Sequence, residues 1–285
     1  MLFANSAVVS LGKQVIDQVC EYFEQIDLRK PGSYSGSVQG LVELKNITVI
    51  DSIIPQYASA QNRPDSDSIR TVLSNISLQA GPGEITALIG SVGAGQSEVI
   101  KVLLGKYQPE SGDCLIDSTR RADWCGEAIQ KHIVVAGESV SLPQVTILDL
   151  ISRFAAVDNT QALEAAQLTG LNQRLIELNI AYNFFLDDQA RGTAIGLQLE
   201  GSITLTAAVV SEAKIIPMEN PETYCNAIML NKIQLTLQSL KQQNRTVILT
   251  THSKQLIKLA QRSYLYDSGN AIAPPISIAS NQRVA

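Results

Sequence analysis

Histidine is nearly absent from this chain: only His132 and His252 occur in 285 residues, which argues against a histidine-built zinc site. Cysteine is scarce as well. Cys20, Cys114, Cys125 and Cys225 are scattered, with no C-x-x-C pair and no metal-ligand spacing, so they read as reduced, mostly buried thiols of a cytosolic protein. Positive charge is in deficit, with 22 Lys and Arg against 27 Asp and Glu and a net charge of −5. That balance argues against a nucleic-acid partner held by bulk potential. Long apolar runs are missing too. The stretch around Ala7–Leu11 is far short of the ~20 residues of a membrane span, and no basic segment precedes it as in a signal peptide. A membrane role is therefore expected to come through a partner or a segment elsewhere. Internal repeats, heptads and low-complexity tracts are also lacking.

What is present suits a sizeable core, since 45% of the residues are hydrophobic. Leu11, Val15, Val19, Tyr22 and Ile26 recur at helical spacing, which predicts an amphipathic helix over about 6–28 ended by Pro31 and Gly32. Residues 41–50 and 71–79 read as strands. Between them, Ser52–Ile69 holds Pro55, Pro64 and alternating Asp and Ser, the pattern of an exposed insertion. The continuous apolar run Ile85–Ile89 is that of a strand buried on both faces of a parallel sheet. Similar buried strands are predicted at Cys114–Ile116, Ile133–Ala136, Ile215–Met218 and Thr246–Thr250. Helices are predicted near 97–106, 146–156, 160–170 and 172–179. The alternation implies an α/β fold with a mostly parallel sheet, and the strand-free stretch at about 143–200 implies a helical subdomain. The last dozen residues read as a flexible tail.

The chemistry centres on Gly90-Ser91-Val92-Gly93-Ala94-Gly95-Gln96-Ser97, which fits G-x-x-x-x-G-K-[ST] except at the lysine. Glycines let backbone N–H groups approach phosphate oxygens closely, and the following helix points its positive end at them. A glycine and serine pattern of this kind arises by chance in roughly one chain in five to ten. The position directly after a buried strand and before a helix is therefore what gives it weight. Two readings stand: a phosphate-binding loop, or a tight turn that serves packing alone.

The neighbouring segments resemble the nucleotide-binding domain of ABC transporters. Val42–Thr48, Val72–Leu78 and Gly83–Gly90 are similar to that domain's opening. Gly105–Gly112 with Cys114–Asp117 resembles the segment after the loop's helix, and Thr146–Ile151 the start of the helical subdomain in exporters. Ala165–Leu171, then Tyr182, Leu186 and Gly192, continue the order, and Thr250-Thr251-His252 resembles the switch histidine. The likeness runs over about residues 41–268 and is closest in flavour to type I secretion and peptide or lipid exporters. It implies a P-loop NTPase (RecA-like) α/β fold with a mostly parallel sheet, an antiparallel β edge and a helical subdomain. Residues 1–40 would be the helix and linker that join a membrane domain, 41–270 the nucleotide-binding domain, and 271–285 a tail. It also implies ATP and magnesium as ligands, with a membrane domain and a second nucleotide-binding domain, like or unlike, as partners. The place of action is then the cytoplasmic face of a membrane.

Against that family pattern the chain departs at the residues that handle phosphate. Gln96 stands for the lysine that pairs with the β- and γ-phosphates; a neutral donor in place of a charged one lowers affinity by about 10–100-fold. The magnesium ligands fall on Ser97 and Glu219, and the glutamate that orients water falls on Asn220, which lacks a basic oxygen. General-base catalysis is worth ~10²–10⁴-fold, so that change alone predicts crippled hydrolysis. The family's loop glutamine falls at Glu138. The L-S-G-G-Q signature falls on Ile195-Gly196-Leu197-Gln198-Leu199, without its serine. The adenine-stacking aromatic falls near Asp51, with Tyr57 as a substitute. His252 is kept, as a switch residue or a structural one. Glu219 reads equally as a solvated carboxylate at a strand end, and Ser97 as a helix cap. Asp187-Asp188 reads as an exposed acidic turn, and Trp124, Phe184 and Phe185 as packing residues.

Overall fold

The computed structural model describes residues 32–51, 70–137, 142–187, 194–224, 227–267, 269–271 and 276–277. The expected helix at 6–28, the insertion at 52–69 with Tyr57, and Glu138, Asp188 and Gly192 lie outside the described residues, as does most of the expected tail.

Four strands form the parallel heart of the sheet. They are β3 (Ile85–Gly90), β6 (Ile215–Glu219), β7 (Thr246–Thr250) and β8 (Arg262–Asp267), in the order β8-β3-β7-β6. Every residue of β6 and β7 is buried, and in β3 only the last two are not. Strands covered on both faces need no polar alternation, which is why these segments read as unbroken apolar runs. Beyond β8 the sheet continues through β9 (Asn270–Ala271) to β2 (Arg70–Ala80), β1 (Val42–Asp51), β4 (Ser111–Ile116) and β5 (Thr119–Arg120). The β2-β1-β4-β5 part is antiparallel, and β10 (Ile276–Ser277) pairs antiparallel with β8.

Two expected parallel strands are different in the structure. Cys114–Ile116 belongs to antiparallel β4, with Leu44 opposite Cys114 and Val42 opposite Ile116. Its burial alternates, as in a strand with one wet face. Ile133–Ala136 forms only isolated parallel bridges to Ile215 and Met218 at the edge of β6. The helix expected at 146–156 is short, spanning Ile147–Ile151 (α3), because Arg153, Phe154 and Ala155 all take left-handed backbone angles.

The remaining helices are α1 (Gln96–Leu103), α2 (Gly126–His132), α4 (Asn159–Thr169), α5 (Leu171–Glu177), α6 (Ala194–Val210), α7 (Ala227–Gln242) and α8 (Lys254–Ile257). A separate apolar cluster from Leu142 to Ile203 holds α3, α4, α5 and the first half of α6 together. The second half of α6 packs through Leu205, Ala208 and Val209 into the cluster under β6 and β7, so this one helix joins both cores. No helix among the described residues is long and apolar enough to cross a membrane.

The segment before β1 is docked rather than free. Tyr34 lies edge-on to buried Trp124 with ring centroids 4.6 Å apart. Asp117 accepts the N–H groups of Gln39, Gly40 and Leu41 at 2.6, 3.1 and 2.8 Å, and Thr246 donates its hydroxyl to the Gly40 carbonyl at 2.6 Å. Gly40 has φ 110, and a Cβ there would meet that hydroxyl at 2.9 Å, so glycine is needed for this approach. Trp124 thus packs as expected. Phe184 and Phe185 do not, being 38% and 51% exposed at the end of the helical cluster.

Candidate functional site

Parallel β3, β6 and β7 end at the same edge of the sheet, where Leu88 lies beside Thr250 and Glu219 beside Thr250 on its other side. Three loops leave from that edge: Gly90–Gly95 after β3, the turn at Asn220–Tyr224 after β6, and Thr251–Ser253 after β7. Ligand crevices of open α/β sheets form at such carboxyl edges.

The first loop is held from below. Gly269, in the turn between β8 and β9, donates its N–H to the Ala94 carbonyl at 3.0 Å and accepts the Ser74 N–H at 2.8 Å. A Cβ on Gly90 would lie 2.6 Å from the Tyr266 carbonyl, so that position is closed to any side chain. Gly95 turns the chain into α1 with φ 104, and no side chain caps the helix. The first N–H groups of α1 therefore have no acceptor from the helix or a cap, the arrangement that receives an anion. Ser91, Val92 and Gly93 are exposed, whereas Ala94, Gly95 and Gln96 are buried. Gln96 turns inward at 8% exposure, and its Nε2 donates a long 3.4 Å bond to the Ser91 carbonyl across the loop. Ser97 is half-buried in the first turn.

Glu219 is buried, and its Oε2 has no hydrogen-bond partner among the described residues. A bare carboxylate oxygen is costly away from water, and a cation would satisfy it. Gly137, the residue before Glu138, packs against it; a Cβ there would meet Glu219 Cβ at 3.0 Å. The Thr204 hydroxyl of α6 accepts the Gly137 N–H at 3.1 Å, fixing this approach. Asn220 has φ 38, a region that asparagine tolerates. Its N–H donates to Thr250 Oγ1 at 3.0 Å, and that hydroxyl reaches its Oδ1 at 3.3 Å. His252 is exposed, with its backbone N–H bonded to Glu222 Oε1.

The edge thus gathers Gly90–Ser97, Glu219, Asn220 and His252. Ile195–Leu199 forms the start of α6, where Leu199 is buried. Asp51 ends β1. Sequence reasoning missed Gly269, Thr204 and Glu222. Only Gly269 carried a signal, the turn-forming Asp267-Ser268-Gly269-Asn270; the other two are set by tertiary contacts.

A sequence model of the ABC transporter family matches residues 73–183, from β2 through the phosphate-loop region into the helical cluster. The alpha-hemolysin translocation ATP-binding protein HlyB of Escherichia coli O157:H7 is 28% identical over 233 residues. The chain is thus similar to ABC transporter nucleotide-binding domains. The match to HlyB covers 81% of this chain and 31% of that protein. A leukotoxin translocation ATP-binding protein of Mannheimia glucosida is 26% identical over 238 residues, 82% of this chain and 31% of that protein. The chain therefore spans about a third of the length of the curated relatives it matches. Its fold is that of a bacterial Atm1-family ABC exporter solved with ATP bound. That match has a TM-score of 0.70 at 17% identity and covers 89% of this chain and 41% of the exporter.

Proposed function

We propose that this domain binds ATP weakly, hydrolyses it poorly, and serves an exporter by docking to a membrane domain and pairing with a second nucleotide-binding domain at the cytoplasmic face. The observation that carries the reading is the state of the two key substitutions. Gln96 offers the loop a neutral amide, and Asn220 is held against Thr250 with no basic oxygen to accept a proton. The scaffold for phosphate remains in the open start of α1 and the glycine loop. ATP phosphates would lie against those N–H groups, with Ser97 and Glu219 as the magnesium ligands; the ion would neutralise phosphate charge. Glu138 and His252 are the remaining polar groups of the site in this reading.

The uncapped start of α1 and the unpartnered Glu219 Oε2 favour a nucleotide-binding domain over one that kept only the fold. Relatives named for translocation of hemolysin and leukotoxin favour export of a polypeptide by the assembly. Calorimetric titration with ATP and magnesium, alongside a phosphate-release assay, tests the reading. Binding without turnover is the expected result. Turnover well above background would overturn the hydrolytic part, and no binding at millimolar ATP would overturn the nucleotide part.

A further inference from the structure

The turn after β6 carries a carboxylate of its own. Glu222, two residues beyond Asn220, reaches across to the loop after β7. Its Oε1 accepts the backbone N–H of His252 at 2.5 Å and its Oε2 accepts the hydroxyl of Thr251 at 2.8 Å. On its other side that loop is tied to the strand feeding the phosphate loop, since the Thr251 N–H donates to the Leu88 carbonyl at 3.4 Å. Thr251 also braces the residue two places on, its hydroxyl oxygen accepting the Ser253 N–H at 3.0 Å. Thr251 is 1% exposed, whereas His252 is open to solvent. The backbone at His252 is thus fixed by a bidentate acidic anchor while its imidazole stays accessible.

We propose that Glu222 is a positioning residue that holds the His252 loop in place without nucleotide. The proposal rests on reading His252 as part of the nucleotide site. A carboxylate accepting an N–H and an O–H at once makes two charge-assisted bonds, stronger than neutral ones. It gives the loop a charged partner supplied by the chain itself. Asn220 and Glu222 then act in the same direction: both tie the turn after β6 to the end of β7, so the two strand ends form one unit. The loop's geometry is accordingly set before any ligand arrives and changes little when one does.

Amide hydrogen exchange by NMR on the full chain tests this. Without nucleotide, Glu222→Ala should speed exchange at His252 by about 10- to 100-fold, the value of one charge-assisted bond. Val247 and Ile248, inside β7, serve as controls and should not change. Glu222→Gln keeps an oxygen for the His252 N–H and should restore most of its protection, which a general loss of packing would not. Thr251→Val removes only the hydroxyl bond and should leave the His252 amide largely protected. Unchanged exchange in Glu222→Ala, or equal exposure in the Ala and Gln variants, would overturn the proposal. A second arm adds ATP with magnesium to the unsubstituted chain. Protection at His252 changing by less than about twofold supports a loop already in place, and a rise above tenfold overturns it. The nucleotide-free arm reads the anchor even if the chain binds no ATP, so a failure of the proposed function is seen separately, in the titration.

Discussion

Replacing Gln96 by lysine is the sharpest probe of the phosphate loop. In the structure the glutamine amide is 8% exposed and makes one long bond, 3.4 Å, to the Ser91 carbonyl. A bond of that length contributes at the low end of the neutral range, ~0.5 kcal/mol. A lysine ammonium from the same position would make a charge-assisted bond to phosphate worth about 1.5–3 kcal/mol. The difference is about 1–2.5 kcal/mol, or roughly 5- to 60-fold tighter ATP binding. The same charge costs stability when no phosphate is present, because it replaces a neutral amide at a buried site. Gln96→Lys should therefore lower the melting temperature of the free protein and raise the stabilisation that ATP with magnesium provides. Calorimetric titration and thermal unfolding with and without nucleotide read both effects. An unchanged affinity in a variant that still folds would refute the claim that side chain 96 faces the phosphates.

Three more expectations follow from individual contacts. Asn220→Glu puts a residue without asparagine's tolerance at φ 38 and should cost about 1–2 kcal/mol of stability. Alone it should give no measurable phosphate release; turnover is expected only with Gln96→Lys, and turnover by the single variant would show that the loop charge is not limiting. Buried Arg121 donates from Nε to the Leu103 carbonyl and from Nη2 to the Leu104 carbonyl, at 3.2 and 2.8 Å, closing the C-terminal end of α1. Arg121→Met should destabilise the fold by about 2–3 kcal/mol in urea unfolding, and an unshifted midpoint would remove this cap from the account. His132 is held below its ordinary value of 6.5, first by burial and then by Lys131, with Asp117 opposing and Lys214 adding to the shift. A lowered folded value means stability is present above 6.5 and is lost as pH falls through the folded value. His132→Gln should flatten the decline of unfolding free energy as pH falls below 6.5, and an equal slope in both proteins would count against the shift.

The parallel heart of the sheet was legible because burial on both faces leaves a local mark: Ile85–Ile89, Ile215–Met218 and Thr246–Thr250 are unbroken apolar runs. Cys114–Ile116 is similarly apolar but sits in an antiparallel edge, and three residues are too few to show the alternation that separates the two cases. The loop at Gly90–Ser97 was visible since its glycines recur at fixed spacing between a buried strand and a helix. Its support by Gly269 was not, because residues 94 and 269 meet through the pairing of β8 with β3 and not through local sequence. The left-handed run at Arg153–Ala155 contains no glycine, so nothing in the sequence announced the early end of α3. Glu222 looked like one more surface acid. Its role follows from the registry of β6 on β7, which brings the two strand ends side by side.

The clamp on residues 34–41 also makes β7 a mechanical member. Thr246, at the start of that strand, grips the Gly40 carbonyl, while Thr250, Thr251 and His252 leave its far end for the loops described above. Five fully buried residues, bonded to a parallel neighbour on each side, form a stiff strut between these points. A pull on the chain ahead of Tyr34 is shared among the Trp124 contact, the Asp117 cradle and this strut. The segment at 34–41 and the His252 loop are in this way joined end to end through the length of β7.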